Sequence, residues 1–207
     1  MNPDQENTRA TYDNIAKDWH DDHQGDDWWV EEMEKFTRLL KPGGLILDGG
    51  CAGGTKAKFL LAKGFQVVGI DASQNMIEIA KKENPTGRFE VLELENVETL
   101  AETFDGILLQ AVLLHFSKKD VLEVLKKIVA KVAPGGYIYA TVKGRQPEDP
   151  EEEVKTETEY GQTFQRFFSY FSLAELKELF LNAGLNIIDI NIKATGKTKW
   201  LHIVGKK

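Results

Sequence analysis

The chain has almost no cysteine: Cys51 stands alone among 207 residues. A lone cysteine excludes an intrachain disulfide and fits a reducing compartment, so a cytoplasmic location is expected. Excess positive charge is also missing. Lys and Arg number 26 against 33 Asp and Glu, a formal net charge of −7. A surface that binds nucleic acid or an anionic membrane usually carries the opposite balance, so neither partner is expected. The lysine-bearing tail 193–207 is a local exception that reads as a solvated edge. The most apolar stretch, 107–116, is broken by Gln110 and falls well short of the roughly 20 residues of a membrane-spanning helix. The opening MNPDQENTRA lacks the apolar core of a signal peptide. No internal repeat and no linker interrupts the chain, and its length suits one domain with a sizeable core.

Glycine, by contrast, is concentrated where it matters. Residues 44–71 read GLILDGGCAGGTKAKFLLAKGFQVVGID. Leu45, Ile46 and Leu47 form a short apolar run of the kind buried on both sheet faces. Asp48 ends it, and Gly49, Gly50, Gly53 and Gly54 crowd the turn that follows. Ala57, Leu60 and Leu61 then fall at helical spacing, and a second apolar run, 67–70, ends in Asp71. The unit is a βαβ with an acid after its second strand. Glycines allow close approach of a ligand to the backbone, and the acid can accept both hydroxyls of a ribose, so a nucleoside-containing ligand is expected at the carboxyl ends of the strands. The dinucleotide spacing G-x-G-x-x-G does not fit. Counting from Gly50 reaches Ala52 and then Thr55, and counting from Gly49 puts Cys51 at the second position.

Apolar periodicity outlines the remaining elements. Tyr12, Ile15, Ala16 and Trp19 predict a helix over 6–23; Val30, Met33, Phe36 and Leu40 predict another over 27–40, ended by Lys41-Pro42-Gly43-Gly44. Ser73 caps a helix to about residue 82 with Met76, Ile77 and Ala80 inward. Strands are expected at 89–92, 104–109 and 137–142. A short helix is expected at 97–101 and a long one over 118–132, the latter stopped by Ala133-Pro134-Gly135-Gly136. The acidic segment 144–159 reads as an exposed loop and 163–171 as an aromatic cluster. Ser172 caps a helix closed by Gly184, and a hairpin over 185–204 turns at Thr195-Gly196-Lys197.

Several motifs in this order resemble class I S-adenosylmethionine-dependent methyltransferases of the small-molecule type. Asp48, Gly50 and Gly54 match D-x-G-x-G-x-G, with Ala52 at the middle glycine. Phe104-Asp105, Leu113-Leu114-His115-Phe116, 132–136 and 172–185 resemble the later motifs, and Tyr12-Asp13-x-x-Ala16 resembles the N-terminal one. Leu114 stands where the family carries a first histidine. The resemblance covers most of the chain and implies an α/β fold: a Rossmann-like doubly wound sheet of seven strands, mostly parallel with the last antiparallel, plus N-terminal helices. It divides one domain, 1–207, into a helical cap (1–40), a cofactor-binding core (41–143), an acidic and aromatic insert (144–171) and a C-terminal helix and hairpin (172–207).

The resemblance also implies S-adenosylmethionine as cofactor and S-adenosylhomocysteine as product. Gly50, Cys51, Ala52 and Gly54 would form the turn beneath the methionine part. Asp48 would take its amino group or fix the turn. Asp71 would accept the ribose hydroxyls, with Ala72 and Met76 against the adenine. Glu93 and Leu94 would meet the adenine edge, with Glu95 the other choice of acid. Gln110 would face the methionine and sulfonium region. Tyr12 and Trp19 would lid the cofactor or pack on the sheet. His115, at the mouth of the site, would be a general base or a packing residue. Arg166 and its aromatic neighbours would belong to a substrate cap or to the core. His20, His23 and the surrounding aspartates read as a solvated charged loop, and no metal is expected.

The reaction implied is in-line methyl transfer to a small-molecule acceptor through an O, N or C nucleophile, in a site that holds donor and acceptor in line and keeps water out. No N-P-P-Y-like tetrapeptide follows the fourth strand; Gln110-Ala111-Val112-Leu113 stands there. Two other readings remain at the level of sequence: a methyltransferase fold that binds without catalysis, and a nicotinamide-dependent oxidoreductase.

Overall fold

The computed structural model describes residues 3–207. Nine strands and seven α-helices follow the chain among them. First come α1 (Pro3–Asn14), α2 (Ala16–His23) and α3 (Val30–Thr37), then β1 (Leu45–Gly49), α4 (Thr55–Ala62), β2 (Gln66–Asp71), α5 (Gln74–Glu83) and β3 (Arg88–Val91). A 3-10 turn, Leu94–Thr99, leads to β4 (Phe104–Gln110), and a second, Leu113–His115, leads to α6 (Val121–Ala130). The chain closes with β5 (Val132–Lys143), β6 (Glu152–Glu159), β7 (Gln162–Ser169), α7 (Leu173–Asn182), β8 (Asn186–Thr195) and β9 (Thr198–Lys206).

Seven strands form one sheet in the order β3-β2-β1-β4-β5-β9-β8. β1 to β5 pair in parallel, and β9 runs antiparallel to both its neighbours. This is the Rossmann-like architecture the motifs imply. β4 shows why it is stable: Ile107 and Leu109 enter the core under α6 and α7, while Leu108 enters the core under α3 and α4. Alternate residues point to opposite faces, and both faces are covered, so the strand is apolar throughout. Ser73 Oγ accepts from Met76 N at 3.1 Å, and Ser172 and Glu175 exchange the two bonds of a capping box. No helix among the described residues is long and apolar enough to cross a membrane.

The structure departs from the sequence expectations in five places. The helix over 6–23 is two helices, bent at Ile15 (φ −95°, ψ 6°), because α1 packs on β7 and α2 on α5. The helix over 27–40 shortens to α3; its last turn tightens, with Leu39 N and Leu40 N bonding three residues back. The expected helix at 97–101 is the 3-10 turn that starts at Leu94. Ala133-Pro134-Gly135-Gly136 does not separate α6 from β5. Val132 already pairs with Phe104, and the tetrapeptide bulges before Tyr137 pairs with Gly106, with Gly135 at φ +77°. Finally, 144–159 is not only a loop: β6 and β7 form a separate hairpin. Its two-residue turn, Tyr160-Gly161, has both φ positive (+54° and +73°), the backbone that suits the twist of a tight hairpin.

Candidate active site

A cavity of about 460 Å³ opens at the carboxyl ends of the parallel strands, under α1, α2 and β7. On the sheet side, β1 delivers Asp48. Its side chain is buried, and Oδ2 has no hydrogen-bond partner among the described residues. Burial holds the carboxyl up at about 7; the Lys56 ammonium opposes the rise and the Asp71 charge adds to it. Lys56, on α4, also lines the cavity, and its own pKa is lowered by burial.

The glycine turn follows. Gly50 N and Cys51 N both donate to Ile70 O, at 2.8 and 3.0 Å. Gly50 sits at φ +75°, and a Cβ there would lie 2.5 Å from Val112 Cγ2. Ala52 occupies the same left-handed region at φ +45°, so the turn keeps a glycine-like backbone with a methyl group attached. Gly54, expected to underlie the cofactor, does not line the cavity. Its φ is +81°, and a Cβ would meet Asn84 Nδ2 at 2.5 Å, so it seats the turn on α5. The Cys51 thiol is buried, and burial pushes its pKa well up, which leaves it a packing group.

Asp71 joins the turn to the next helix. Its Oδ2 accepts from Ala52 N and its Oδ1 from Ser73 N, both at 2.9 Å. The acid thus anchors the start of α5 and also lines the cavity. Ala72, Met76 and Leu94 line the wall beside it. Glu93 and Glu95 both reach the cavity, but Glu93 is already paired with Arg9 of α1 at 2.8 Å. Asp13, also on α1, accepts from Ser73 Oγ at 2.7 Å and from Asn75 N at 3.0 Å. At the end of β4, Gln110 is 9% exposed, and neither polar atom of its side-chain amide has a partner among the described residues.

The other wall carries a chain of side-chain hydrogen bonds. His115 Nδ1 lies 2.8 Å from Phe167 O; a carbonyl only accepts, so Nδ1 carries the proton. His115 Nε2 then accepts from Tyr12 OH at 3.1 Å. Arg166 Nη1 donates to the same phenol oxygen at 2.9 Å, and Arg166 Nε donates to Glu157 Oε2 at 2.7 Å. Burial pushes His115 down to about 3. The imidazole is neutral with its free nitrogen occupied, which argues against the general-base expectation. Trp19 meets Tyr12 edge-on at 6.0 Å and stacks on His23 at 4.3 Å.

The loop expected around His20 and His23 is the helix α2. His20 is buried against the turn, where a Cβ on Gly53 would lie 2.1 Å from its Nδ1. Among the described residues no group of three or more His, Cys, Asp or Glu side chains could hold a metal. Arg9, Lys56 and Lys143 also line the cavity, and nothing in the sequence singles them out. Each is a single polar residue in an amphipathic helix or at a strand end, and only the tertiary fold brings it to the cavity.

A glycine turn, an acid after the next strand and a cavity between them form the arrangement in which α/β proteins hold nucleosides. Residues 22–190 match the family model described as a methyltransferase domain, and the chain belongs to that family. It is 36% identical over 130 residues to phosphoethanolamine N-methyltransferase 3 of Arabidopsis thaliana, covering 58% of this chain and 26% of that protein. It is 27% identical over 116 residues to the ubiquinone biosynthesis O-methyltransferase of Xanthomonas campestris, covering 54% of this chain and 48% of the relative. The chain thus spans about half or less of these relatives' lengths. The same fold occurs in the 1,6-didemethyltoxoflavin-N1-methyltransferase of Burkholderia thailandensis, solved with 1,6-didemethyltoxoflavin and S-adenosylhomocysteine bound. The TM-score there is 0.75 at 20% identity, covering 96% of this chain and 86% of that one.

Proposed function

We propose that this protein is a cytoplasmic S-adenosylmethionine-dependent methyltransferase acting on a small-molecule acceptor. The observation that carries the reading is a pair of orphaned polar groups in the cavity. Asp48 Oδ2 and the whole Gln110 amide are buried without partners among the described residues, on the neighbouring strands β1 and β4. Buried polar groups are nearly always satisfied, so each such exception needs an explanation. An amino-acid moiety in the cavity supplies it: an ammonium for Asp48, and polar atoms for Gln110. Asp71, with lone pairs left after its two backbone bonds, suits a ribose diol, and Ala72, Met76 and Leu94 suit an adenine. These residues fit the cofactor. When bound, it supplies an electrophilic methyl group on a sulfonium.

The chain's own work is positional. Asp48, Asp71 and Gln110 orient the donor, while Tyr12 and Trp19 cover the cavity and exclude water. Cys51 and Ala52 approach through backbone atoms. His115 accepts a hydrogen bond from the Tyr12 hydroxyl and holds the phenol at the boundary of the site. A group that protonates only near pH 3 is a poor base at neutral pH, so His115 is a positioning residue. Residues 1–207 act as one unit, with 1–40 as cap, 41–143 as cofactor core, 144–171 as the acceptor-side insert, and 172–207 closing the sheet.

Calorimetric titration with S-adenosylhomocysteine and with NAD tests the reading. Binding of the former and not the latter is expected, with Asp71→Ala weakening it at least about tenfold through loss of charge-assisted hydrogen bonds. Binding of NAD alone would overturn it. Labelled methyl transfer into a metabolite pool then separates an enzyme from a silent binding fold.

A further inference from the structure

The carboxylates around the cavity are confined to one side, where Arg9 and Lys56 stand among them. Asp26, Asp48, Asp71, Glu93 and Glu95 lie on the α2 side and at the ends of β1, β2 and β3. The wall built by β5, β7 and the turn at Leu113–His115 contributes none. It offers Lys143, Arg166, neutral His115 and Phe168. The Arg166 charge is matched by Glu157. Lys143 takes part in no ion pair among the described residues. Its Nζ lies 3.8 Å from the Phe168 ring centroid, and a ring face compensates an ammonium only in part.

A half-buried cation without a counterion is costly, and this chain has 33 acidic residues from which to supply one. Burial, with Arg166 and Lys155 adding to the effect and the charges of Glu157 and Glu153 opposing it, lowers Lys143 to about 8, so the group is still largely charged at neutral pH. Its place in the sheet is also specific. Thr141 pairs with Gln110, so Lys143 stands one strand over and two residues further toward the carboxyl end, about 7 Å along the strand. That distance suits a small acceptor lying between the donor held at Gln110 and the Lys143 ammonium.

We propose that the methyl acceptor carries an anionic oxygen group, a carboxylate or a phosphate, that pairs with the Lys143 ammonium. The proposal rests on the methyltransferase reading and specifies its substrate class. Calorimetry tests it with inorganic phosphate and benzoate as probes, titrated into the protein saturated with S-adenosylhomocysteine. Saturable binding of at least one probe is expected, and the tighter one identifies the group. Lys143→Met and Lys143→Gln should each weaken that probe at least about tenfold, Lys143→Arg should keep it within about threefold, and S-adenosylhomocysteine affinity should be unchanged in all three. Equal probe affinity in wild type and either neutral variant would overturn the proposal, as would no binding of either probe to the wild type. Failure of S-adenosylhomocysteine itself to bind would overturn the underlying reading as well.

Discussion

Asp48 shows how one residue links stability to binding. In the folded protein its pKa is pushed up to about 7, against 3.8 for an unperturbed aspartate. The unfolded chain therefore releases this proton at lower pH than the folded one. Between about pH 4 and pH 7 the native state loses stability relative to the unfolded state, and above that range the penalty is constant. A shift of this size corresponds to about 4 kcal/mol at most. Asp48→Asn removes the titration. In urea denaturation without ligand, the variant should gain on the wild type between pH 4 and pH 8 by up to about that amount, and parallel pH curves would refute the assignment. Binding should respond in the opposite sense: wild-type affinity for S-adenosylhomocysteine should rise as Asp48 ionises, and the variant should lose that rise. The β1 acid, Gly50 and Asp71 were legible in the sequence because they lie within one βαβ unit at fixed spacing. Lys143 and Arg166 were not assigned as cavity cations, because their meaning depends on which carboxylates the fold leaves near them.

At the scale of elements, the parallel core was legible and the insert was not. β1, β2 and β4 are short apolar runs bounded by turns. β6 is mostly exposed, so it has no apolar alternation to read, and only pairing with β7 reveals it. The clasp between α1 and this hairpin was equally hidden. Thr8 Oγ1 accepts from Phe167 N, and Thr11 Oγ1 donates to Gln165 O, each at 2.8 Å. Tyr12 sits one residue beyond Thr11 and meets His115, whose Nδ1 donates to Phe167 O. Thr8 thus fixes the strand residue that orients the histidine. Thr8→Val keeps the shape and removes the acceptor, stranding a buried amide at a cost of about 1–3 kcal/mol. Hydrogen exchange at the Phe167 amide should accelerate markedly, with little change in the β1–β4 core, where stability is expected to be global. An unchanged Phe167 exchange rate would show that the clasp does not hold the hairpin.

The whole molecule closes through a second polar junction, far apart in sequence. β8 lies at the sheet edge, next to β9, and α3 packs across the same face. Glu32 of α3 is 3% exposed, yet it meets Lys35 and Lys193 at 2.8 Å and Asn191 Nδ2 at 3.3 Å. The N-terminal helices are thereby tied to the C-terminal hairpin by a buried carboxylate with three donors. Burial alone would raise its pKa, but the bonds from Lys193, Lys35 and Asn191 prevail and hold it at about 2, against 4.5 for an unperturbed glutamate. For an acid whose folded pKa is depressed, the stabilisation is fully present above the unfolded value and disappears as pH falls through the folded one. Glu32→Gln should therefore cost about 1.5–3 kcal/mol at pH 7, the usual range for hydrogen bonds to a charged group. The cost should shrink steadily between pH 4.5 and pH 2. Urea midpoints for both proteins at pH 7, 4 and 2.5 check this, and a gap that does not narrow with acid would mean that shape, not charge, joins α3 to β8.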